Sequence, residues 1–357
     1  MPEQKNQHFV PRCHLRKFSP DTRSRYVATY NIRTDRAVQF AAIKSQCAKD
    51  YFYGKDKILE NAFQPIEGNY ASLLKKLSAP WRNIEGEDLK FLRSFAALQY
   101  LRSDMAAKRL AFINMLIPEH WKNDPEVAEA VKPITVLQIR QRSVNFFPEA
   151  QQMTSDLKDI VIVNESDHDF VTSDDPAVHT NRFQLQRLGK NAFGFRHAGA
   201  ILLMPLGPRL LFLSYDPNIY TVPDSEGKIV RTRLKSDVLA LNQLQYIRSG
   251  GNIYFKEWAE LDRIKLEIDE VRARRPESWY RITWAIEDQT VEQHTRFRVL
   301  DVSETRADDS LLFHAESLNP DPPTWLSKLK WHHKPRYIDT KSGAGVRRPT
   351  AIKFGDG

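Results

Sequence analysis

The stretch AILLMPLGPRLLFLSY at residues 200–215 contains two apolar runs that are separated by Pro205-Leu-Gly-Pro208. One continuous helix is excluded because proline lacks the amide donor that a helix interior needs. Short apolar runs on either side of turn residues are typical of buried strands. The stretch therefore predicts two buried strands around a turn.

The residues before this stretch have a mainly helical period. Apolar side chains recur every three or four positions in residues 57–77, with Pro65 inside, and in residues 87–116, which give the strongest helix signal. Residues 26–40 and 160–172 instead predict two hairpins. Together these patterns predict an α+β fold, with a helical N-terminal half packed on a small, mostly antiparallel sheet of hairpins.

The chain has 357 residues, of which 41% are hydrophobic and 27% are charged. This composition is typical of globular proteins and excludes a disordered or collagen-like chain. We expect a core domain over residues 1–255, a mixed extension over residues 256–338 and a flexible basic tail over residues 339–357.

The expected location follows from what the sequence lacks. No stretch approaches the roughly 20 apolar residues needed to span a bilayer, and the first residues lack the apolar core of a signal peptide. The two cysteines, Cys13 and Cys47, are too few for a disulfide framework or a zinc site. We therefore expect a cytoplasmic protein with no membrane partner.

The net charge of +8 is concentrated at the two ends of the chain. Residues 1–36 contain eight basic and three acidic residues, and residues 325–357 contain eight basic and two acidic ones. The middle holds 37 basic and 40 acidic residues. Basic ends favour contact with nucleic acid or another polyanion, although solvated, flexible ends have the same composition.

The N-terminal segment 6–18 is the first candidate site. His8 can exchange a proton near neutral pH, and Arg12 can bind phosphate through paired donors, so both suit a negatively charged substrate. The alternative interpretation is structural: the apolar side chains of this segment anchor the chain, and the polar side chains of the same segment face water.

Ser173-Asp174-Asp175-Pro176 is the second candidate. Adjacent carboxylates raise the free-energy cost of each other's ionisation, and a divalent cation relieves that cost. Asp174 and Asp175 are therefore candidate metal ligands or acid–base groups. The same four residues also suit a turn, because Asp accepts hydrogen bonds from the backbone and Pro fixes φ.

Gln99 and Arg102 form the third candidate, on or beside the apolar stripe of the best helix. A buried guanidinium needs a partner, because an unpaired buried charge is costly. The partner is either an anionic ligand or a carboxylate of the preceding helix, Glu60 or Glu67.

Seven short pieces of this chain, in order over residues 7–255, resemble the domain of unknown function 4238 family, which is found mostly in bacteria. The pieces are His8-Phe-Val-Pro11 with Leu15 and Phe18; residues 47–53; Glu60 with Ile66-Glu67-Gly68; Gln99-Tyr-Leu-Arg102; residues 170–178; Pro205-Leu-Gly-Pro208; and Leu241-Asn242 before Ser249. The chain departs from the family pattern in two places. An aromatic residue is usual where Cys13 or His14 stands. The residue between the acid and the proline of the Ser-Asp-x-Pro piece is here an acid, Asp175.

The resemblance implies no activity, since the family has none assigned. It implies that His8, Gln99, Arg102 and Asp174 occupy recurring polar positions. It supports Asp174, rather than Asp175, as the functional carboxylate of the acidic pair.

Our first functional hypothesis is a phosphodiester hydrolase, nuclease-like and acting as a toxic or antiviral effector. Asp174, with Glu67 or His8, holds a Mg²⁺ or Mn²⁺ ion that activates water, or His8 is the general base. Asp175 is a second candidate metal ligand. The candidate substrate-binding side chains are Arg12, Gln99, Arg102 and Ser173.

The alternative hypothesis is a non-catalytic sensing or binding module for an anionic ligand, nucleic acid or protein partner. It is motivated by the absence from the sequence of Walker, Rossmann, HExxH and GxSxG patterns, which mark common enzyme classes. The slightly acidic middle of the chain also disfavours a continuous nucleic-acid groove there.

Overall fold

The computed structural model describes residues 5–21, 23–78, 84–115, 135–223, 227–291, 294–301, 303, 311–339 and 345–350. Helices and mostly antiparallel sheets are both present, which confirms the α+β class. Helices lie on both sides of the chain's midpoint, however, and the described part of the N-terminal half also contains six strands. The predicted division into a helical N-terminal half and a sheet is therefore not confirmed.

The elements are numbered in chain order. The described helices are α1 (Arg12–Leu15), α2 (Ile58–Leu77), α3 (Gly86–Arg102), α4 (Asp104–Met115), α5 (Val136–Asn145), α6 (Phe147–Met153), α7 (Arg182–Arg187), α8 (Lys235–Arg248) and α9 (Leu261–Val271). Single 3₁₀ turns lie at Arg16–Phe18, Ile43–Ser45, Trp258–Glu260 and Arg272–Arg274.

The described strands fall into several small sheets. They are β1 (Asn6–His8), β2 (Tyr26–Asn31), β3 (Arg36–Ala42), β4 (Ala48–Asp50), β5 (Lys158–Asn164), β6 (Thr172–Ser173), β7 (Val178–Thr180), β8 (Ile201–Gly207), β9 (Leu210–Tyr215), β10 (Tyr220–Thr221), β11 (Ile229–Thr232), β12 (Asn252–Phe255), β13 (Tyr280–Val291), β14 (His294–Leu300), β15 (Leu311–Ser317), β16 (Lys330–Trp331), β17 (Ile338–Asp339) and β18 (Val346–Arg347).

The central sheet has the strand order β11-β5-β9-β8-β7, and only the β11–β5 pair is parallel. Strands β8 and β9 are the two apolar runs of residues 200–215, and they pair as predicted. One face of the sheet packs on α2 and α3, and the other packs on α8. Every residue of β8 and β9 is buried, because helices cover both faces.

A second sheet has the order β3-β2-β12-β6. Its β2–β3 hairpin confirms the prediction for residues 26–40. The predicted hairpin at residues 160–172 is wrong, because β5 pairs with β9 and β11 whereas β6 pairs with β12. The apolar run and the following motif thus belong to two different sheets, which local alternation cannot reveal.

The two strongest helix predictions have different outcomes. The apolar period predicts a helix in which Pro65 either produces a kink or separates two helices. The structure has one helix, α2, with Pro65 inside it, so the division into two helices is wrong. The pattern of residues 87–116 is divided into α3 and α4 at Ser103, whose ψ of 160° is extended. The Ser103 hydroxyl accepts a hydrogen bond from the Ala106 amide at 3.0 Å and so caps α4. Leu116 and Pro118, the proline that is expected to end this helix, lie outside the described residues.

Part of the predicted basic tail packs on the body of the protein. Arg348 is fully buried, and its Nε lies 2.9 Å from an oxygen of Asp156. Val346 pairs with Asp339 across a short two-stranded sheet. The domain boundaries at residues 255 and 338 stay a prediction.

Within the described parts of the chain, the helices are all too short or too polar to cross a lipid bilayer.

Candidate functional site

The end of α3 holds the N-terminal segment by its backbone. Gln99 Nε2 donates to the Phe9 carbonyl at 2.8 Å, and Arg102 donates to the carbonyls of Phe9 and His8, both at 3.3 Å. Arg102 also lies 2.5 Å from Glu67 of α2. We call Gln99, Arg102, Glu67 and the backbone of His8 and Phe9 the N-terminal clamp.

The ion-pair alternative for Arg102 is therefore the one that the geometry supports. Glu67, rather than Glu60, supplies the carboxylate. The Arg102 guanidinium is fully buried and lies 4.6 Å from the centre of the Phe63 ring. Such a pair joins two helices and the N-terminal strand, so its role here is structural.

His8 lies beside this clamp with its side chain half-buried. Burial lowers its pKa, the charge of Arg12 adds to the effect, and Glu67 opposes it. Three buried atoms near the clamp have no hydrogen-bond partner among the described residues: His8 Nε2, Gln99 Oε1 and Arg102 Nη1. Arg12 itself is exposed.

The acidic pair lies elsewhere, and its two carboxylates turn to different partners. Asp175 accepts hydrogen bonds from Ser103 Oγ and Arg109 Nη1, each at 2.5 Å. Asp174 accepts from the amides of Gly250 at 2.6 Å and Asn252 at 3.2 Å. The two adjacent side chains are thus held apart by donors that are fixed in position.

Burial raises the pKa of Asp174 to about 6, against the opposing effect of its two amide donors. Ser173 precedes it, and its hydroxyl lies 2.8 Å from Gln245 Oε1 on α8. All three motif side chains are engaged within the protein, by partners that are about 70 or more positions away in the chain.

The described residues contain no group of three or more His, Cys, Asp or Glu side chains that could hold a metal ion. Each oxygen of Asp174 already accepts an amide hydrogen bond, and Asp175 faces an arginine. This donor set does not suit a divalent cation, which needs free carboxylate oxygens. The Mg²⁺ or Mn²⁺ site stays a prediction without structural support.

The predicted site residues are thus divided between two places. His8, Glu67, Gln99 and Arg102 meet at the N-terminal clamp, whereas Ser173, Asp174 and Asp175 meet at the junction of β6 with α4 and α8. Arg102 and Ser103 are neighbours in the chain, but their side chains serve different clusters. These contacts do not bring His8 and Asp174 together in a single site.

A cavity of about 660 Å³ opens between α4, α5 and the loop before β8. Its aromatic lining consists of Tyr100, Phe146, Phe193, Phe195 and Tyr280. Its basic lining consists of Arg109, Arg142, Arg196 and Arg347 with His179 and His197. The described lining residues include no Asp or Glu, so the cavity combines aromatic walls with positive charge. We call this space the arginine cavity.

Charge and exposure vary with depth in the arginine cavity. Arg142 is exposed, and Arg196 and Arg347 are half-buried. Arg109 is buried and paired with Asp175, and its guanidinium lies 5.0 Å from the centre of the Tyr100 ring. The charge available to a ligand is therefore greatest near the mouth.

His179 lies at the closed end of the arginine cavity, with only 3% of its surface exposed. Burial lowers its pKa well below the usual value, and the positive charge of Arg248 adds to the effect. Both effects favour the neutral form of the imidazole. Its Nε2 has no hydrogen-bond partner among the described residues.

Sequence reasoning found none of the cavity's charged residues. Arg109 and Asp175 are 66 positions apart, so their pairing depends on the break between α3 and α4, which periodicity did not reveal. One usable signal was Tyr100, which lies inside the Gln99-Tyr-Leu-Arg102 motif. Gln99 and Arg102 face the clamp, whereas Tyr100 and Leu101 face the cavity.

The family described as Protein of unknown function (DUF4238) matches residues 6–258 of the chain. The match covers the region over which the short motifs resemble that family, and it includes both the N-terminal clamp and the acidic pair. No curated protein and no solved structure matches the chain. A functional conclusion therefore depends on the geometry.

Proposed function

This chain belongs to the DUF4238 family of proteins of unknown function, and we propose that it is a binding or sensing module for an organic anion. The observation that carries the proposal is the arginine cavity, whose described lining combines four arginines with aromatic rings and lacks carboxylates. Its volume of about 660 Å³ lies within the range of small-molecule sites, roughly 300–1,000 Å³.

The chemistry of the lining selects the ligand class. Guanidinium groups bind carboxylate and phosphate through paired donors. Aromatic walls favour a ligand with a flat or apolar body, because they offer area and little hydrogen bonding. An organic anion meets both requirements, whereas an inorganic anion meets only the first.

The binding proposal also agrees with how the motif residues are used. The N-terminal clamp and the Arg109–Asp175 pair hold elements together, and the described contacts leave neither as a free nucleophile or base. The cavity lies next to both, since Tyr100 and Leu101 follow Gln99 in the chain and since Arg109 lines its wall.

Thermal-shift measurements test the proposal with phenyl phosphate, benzoate, adenosine monophosphate and inorganic phosphate as probes. We expect at least one organic anion to raise the melting temperature, because a ligand that binds only the folded state stabilises it. The shift should disappear in an Arg142→Gln/Arg347→Gln variant.

The matched control is Arg16→Gln/Arg36→Gln, which removes the same charge from exposed positions outside the cavity. It should keep the full shift. Equal shifts in the two double variants, or no shift with any organic anion in the wild type, would contradict the proposal.

The nuclease hypothesis is tested on the same protein with plasmid, single-stranded DNA and RNA. Each substrate is incubated with Mg²⁺ or Mn²⁺, and with EDTA as control. Metal-dependent cleavage that Asp174→Ala abolishes would favour an enzyme over a binding module. Retained cleavage in Asp174→Ala would point to a contaminant.

A further inference from the structure

The closed end of the arginine cavity is an aromatic enclosure around one polar ring. The ring of His179 lies 4.6 Å from that of Phe195, 5.6 Å from that of Phe193 and 6.1 Å from that of Tyr100, all edge to face. Phe193 and Phe195 are buried as well. The enclosure thus offers ring surfaces and one side-chain nitrogen, His179 Nε2, that has no hydrogen-bond partner within the described parts of the chain.

An unpartnered buried nitrogen distinguishes between ligand bodies. A buried polar atom without a hydrogen bond destabilises the protein, and a ligand that supplies the missing partner recovers part of that cost. A hydrocarbon or phenyl body leaves His179 Nε2 unpaired. A flat heteroaromatic body can stack against the rings and pair with the nitrogen at the same time.

The mouth of the cavity has the opposite character. Arg142 is exposed, and Arg347 is half-buried with a buried Nε that lacks a partner among the described residues. These two arginines come from α5 and β18, which are remote in sequence. Two guanidinium groups beside solvent suit a phosphate, whose charge keeps part of its hydration.

We infer that the ligand is a nucleotide, with its base at the closed end against His179 and its phosphate at the mouth beside Arg142 and Arg347. The inference rests on the proposed function and narrows it from organic anions to one class. A neutral imidazole nitrogen can donate or accept a hydrogen bond, depending on the tautomer. The inference therefore requires a base with a flat polar edge and does not specify its pattern of donors and acceptors.

Isothermal titration calorimetry on the wild type tests this inference first. The probes are adenosine monophosphate and cytidine monophosphate, with adenosine, ribose 5-phosphate and phenyl phosphate as partial ligands. We expect a monophosphate to bind at least tenfold more tightly than any partial ligand, since each of these lacks one of the two contacts.

Phenyl phosphate separates the inference from the proposed function. If phenyl phosphate binds as tightly as both monophosphates, base recognition is wrong although anion binding stands. If none of the four phosphates binds, the proposed function fails as well.

His179→Phe is the second test, because it keeps the flat ring and removes the nitrogens. We expect it to weaken the tighter monophosphate about tenfold and to leave phenyl phosphate within about twofold of the wild type. His333→Phe, at an exposed histidine outside the cavity, should change neither. Unchanged monophosphate affinity in His179→Phe would overturn the inference.

A final experiment distinguishes two ligands that carry the same chemical groups, a free nucleotide and the 5′ end of a nucleic acid strand. A 5′-phosphorylated single-stranded hexanucleotide is compared with the free monophosphate. We expect the free nucleotide to bind more tightly, because the closed end holds one base. Tighter binding of the hexanucleotide would overturn the assignment of a free ligand.

Discussion

Arg102 and Arg109 lie on consecutive helices, are both buried and both pair with a carboxylate at 2.5 Å. Arg102 belongs to the N-terminal clamp and also donates to two backbone carbonyls. Arg109 instead lines the arginine cavity, between the rings of Tyr100 and Trp279. The same chemistry thus holds the chain together in one place and forms the wall of the arginine cavity in the other.

The difference between these regions shows why a recurring polar residue need not be a site residue. A buried ion pair is costly to break whether or not a ligand is near, so its residues are constrained for structural reasons alone. At the same end of α3, the side chains that face the cavity are those of Tyr100 and Leu101, and both are uncharged. Within this motif, Tyr100 and Leu101 therefore line the cavity, whereas the charged side chain of Arg102 does not.

The largest expected effect comes from breaking the clamp. Glu67→Gln leaves the Arg102 charge buried without its carboxylate, so we expect the free energy of unfolding to fall by about 3 kcal/mol. Urea denaturation measures the change. Glu60→Gln, on the same helix but not paired with Arg102, is the matched control and should cost less than 1 kcal/mol. Equal effects in both variants would show that the pair is not the basis of the clamp.

An effect of similar size should appear as a pH dependence at the acidic pair. Because the pKa of Asp174 is raised from 3.8 to about 6, the folded state holds its proton where the unfolded state has lost it. Stability from this group is present below pH 4 and falls by up to about 3 kcal/mol as the pH rises to about 6.

Asp174→Asn keeps a neutral side chain at every pH and should flatten this slope between pH 4 and pH 6. Denaturant unfolding at pH 4, 5, 6 and 7 measures the slope, with the exposed Asp262→Asn as a control that keeps the wild-type slope. The same slope in Asp174→Asn as in the wild type would show that Asp174 is ionised in the folded protein.

Ser103→Ala tests the junction between the N-terminal clamp and the arginine cavity, where α3 ends and α4 begins. The substitution removes a hydrogen bond to the Asp175 carboxylate and the cap of α4, so we expect a loss of about 2 kcal/mol. Thermal unfolding measures it. Ser72→Ala, at an exposed helical serine, should stay within about 0.5 kcal/mol of the wild type. A loss that small in Ser103→Ala would mean that the helix break is held by other contacts.

The smallest effect on stability is expected at the mouth of the cavity. Arg142 is exposed, so Arg142→Gln should change the free energy of unfolding by less than about 0.5 kcal/mol. The same substitution should weaken phenyl phosphate binding about fivefold, measured by calorimetry, whereas Arg16→Gln should not. Loss of stability without loss of binding would assign Arg142 to the fold.

Much of the fold could be predicted because its signals are local. The β2–β3 hairpin, the β8–β9 pair and helix α2 each follow from a period and a turn within one stretch. The break at Ser103 and the pairing of β6 with β12 could not, since both depend on partners about 70 or more positions away. Periodicity carries no information about such partners.

The candidate site was predicted less well than the fold. The sequence identified Glu67 as one of two possible partners for Arg102, and the structure selects it. It did not identify His179 or Arg347, because an isolated histidine in a strand and an arginine near the end of the chain have no local signature. Only the folded arrangement brings both to one cavity.

The most direct test compares the two regions in one pair of experiments. Phenyl phosphate binding and urea unfolding are measured for Glu67→Gln and for Arg142→Gln/Arg347→Gln under conditions where both proteins are folded. We predict that the clamp variant loses stability and keeps its affinity, whereas the cavity variant keeps its stability and loses affinity at least tenfold. Loss of affinity in the clamp variant alone would contradict the assignment of the arginine cavity as the binding site.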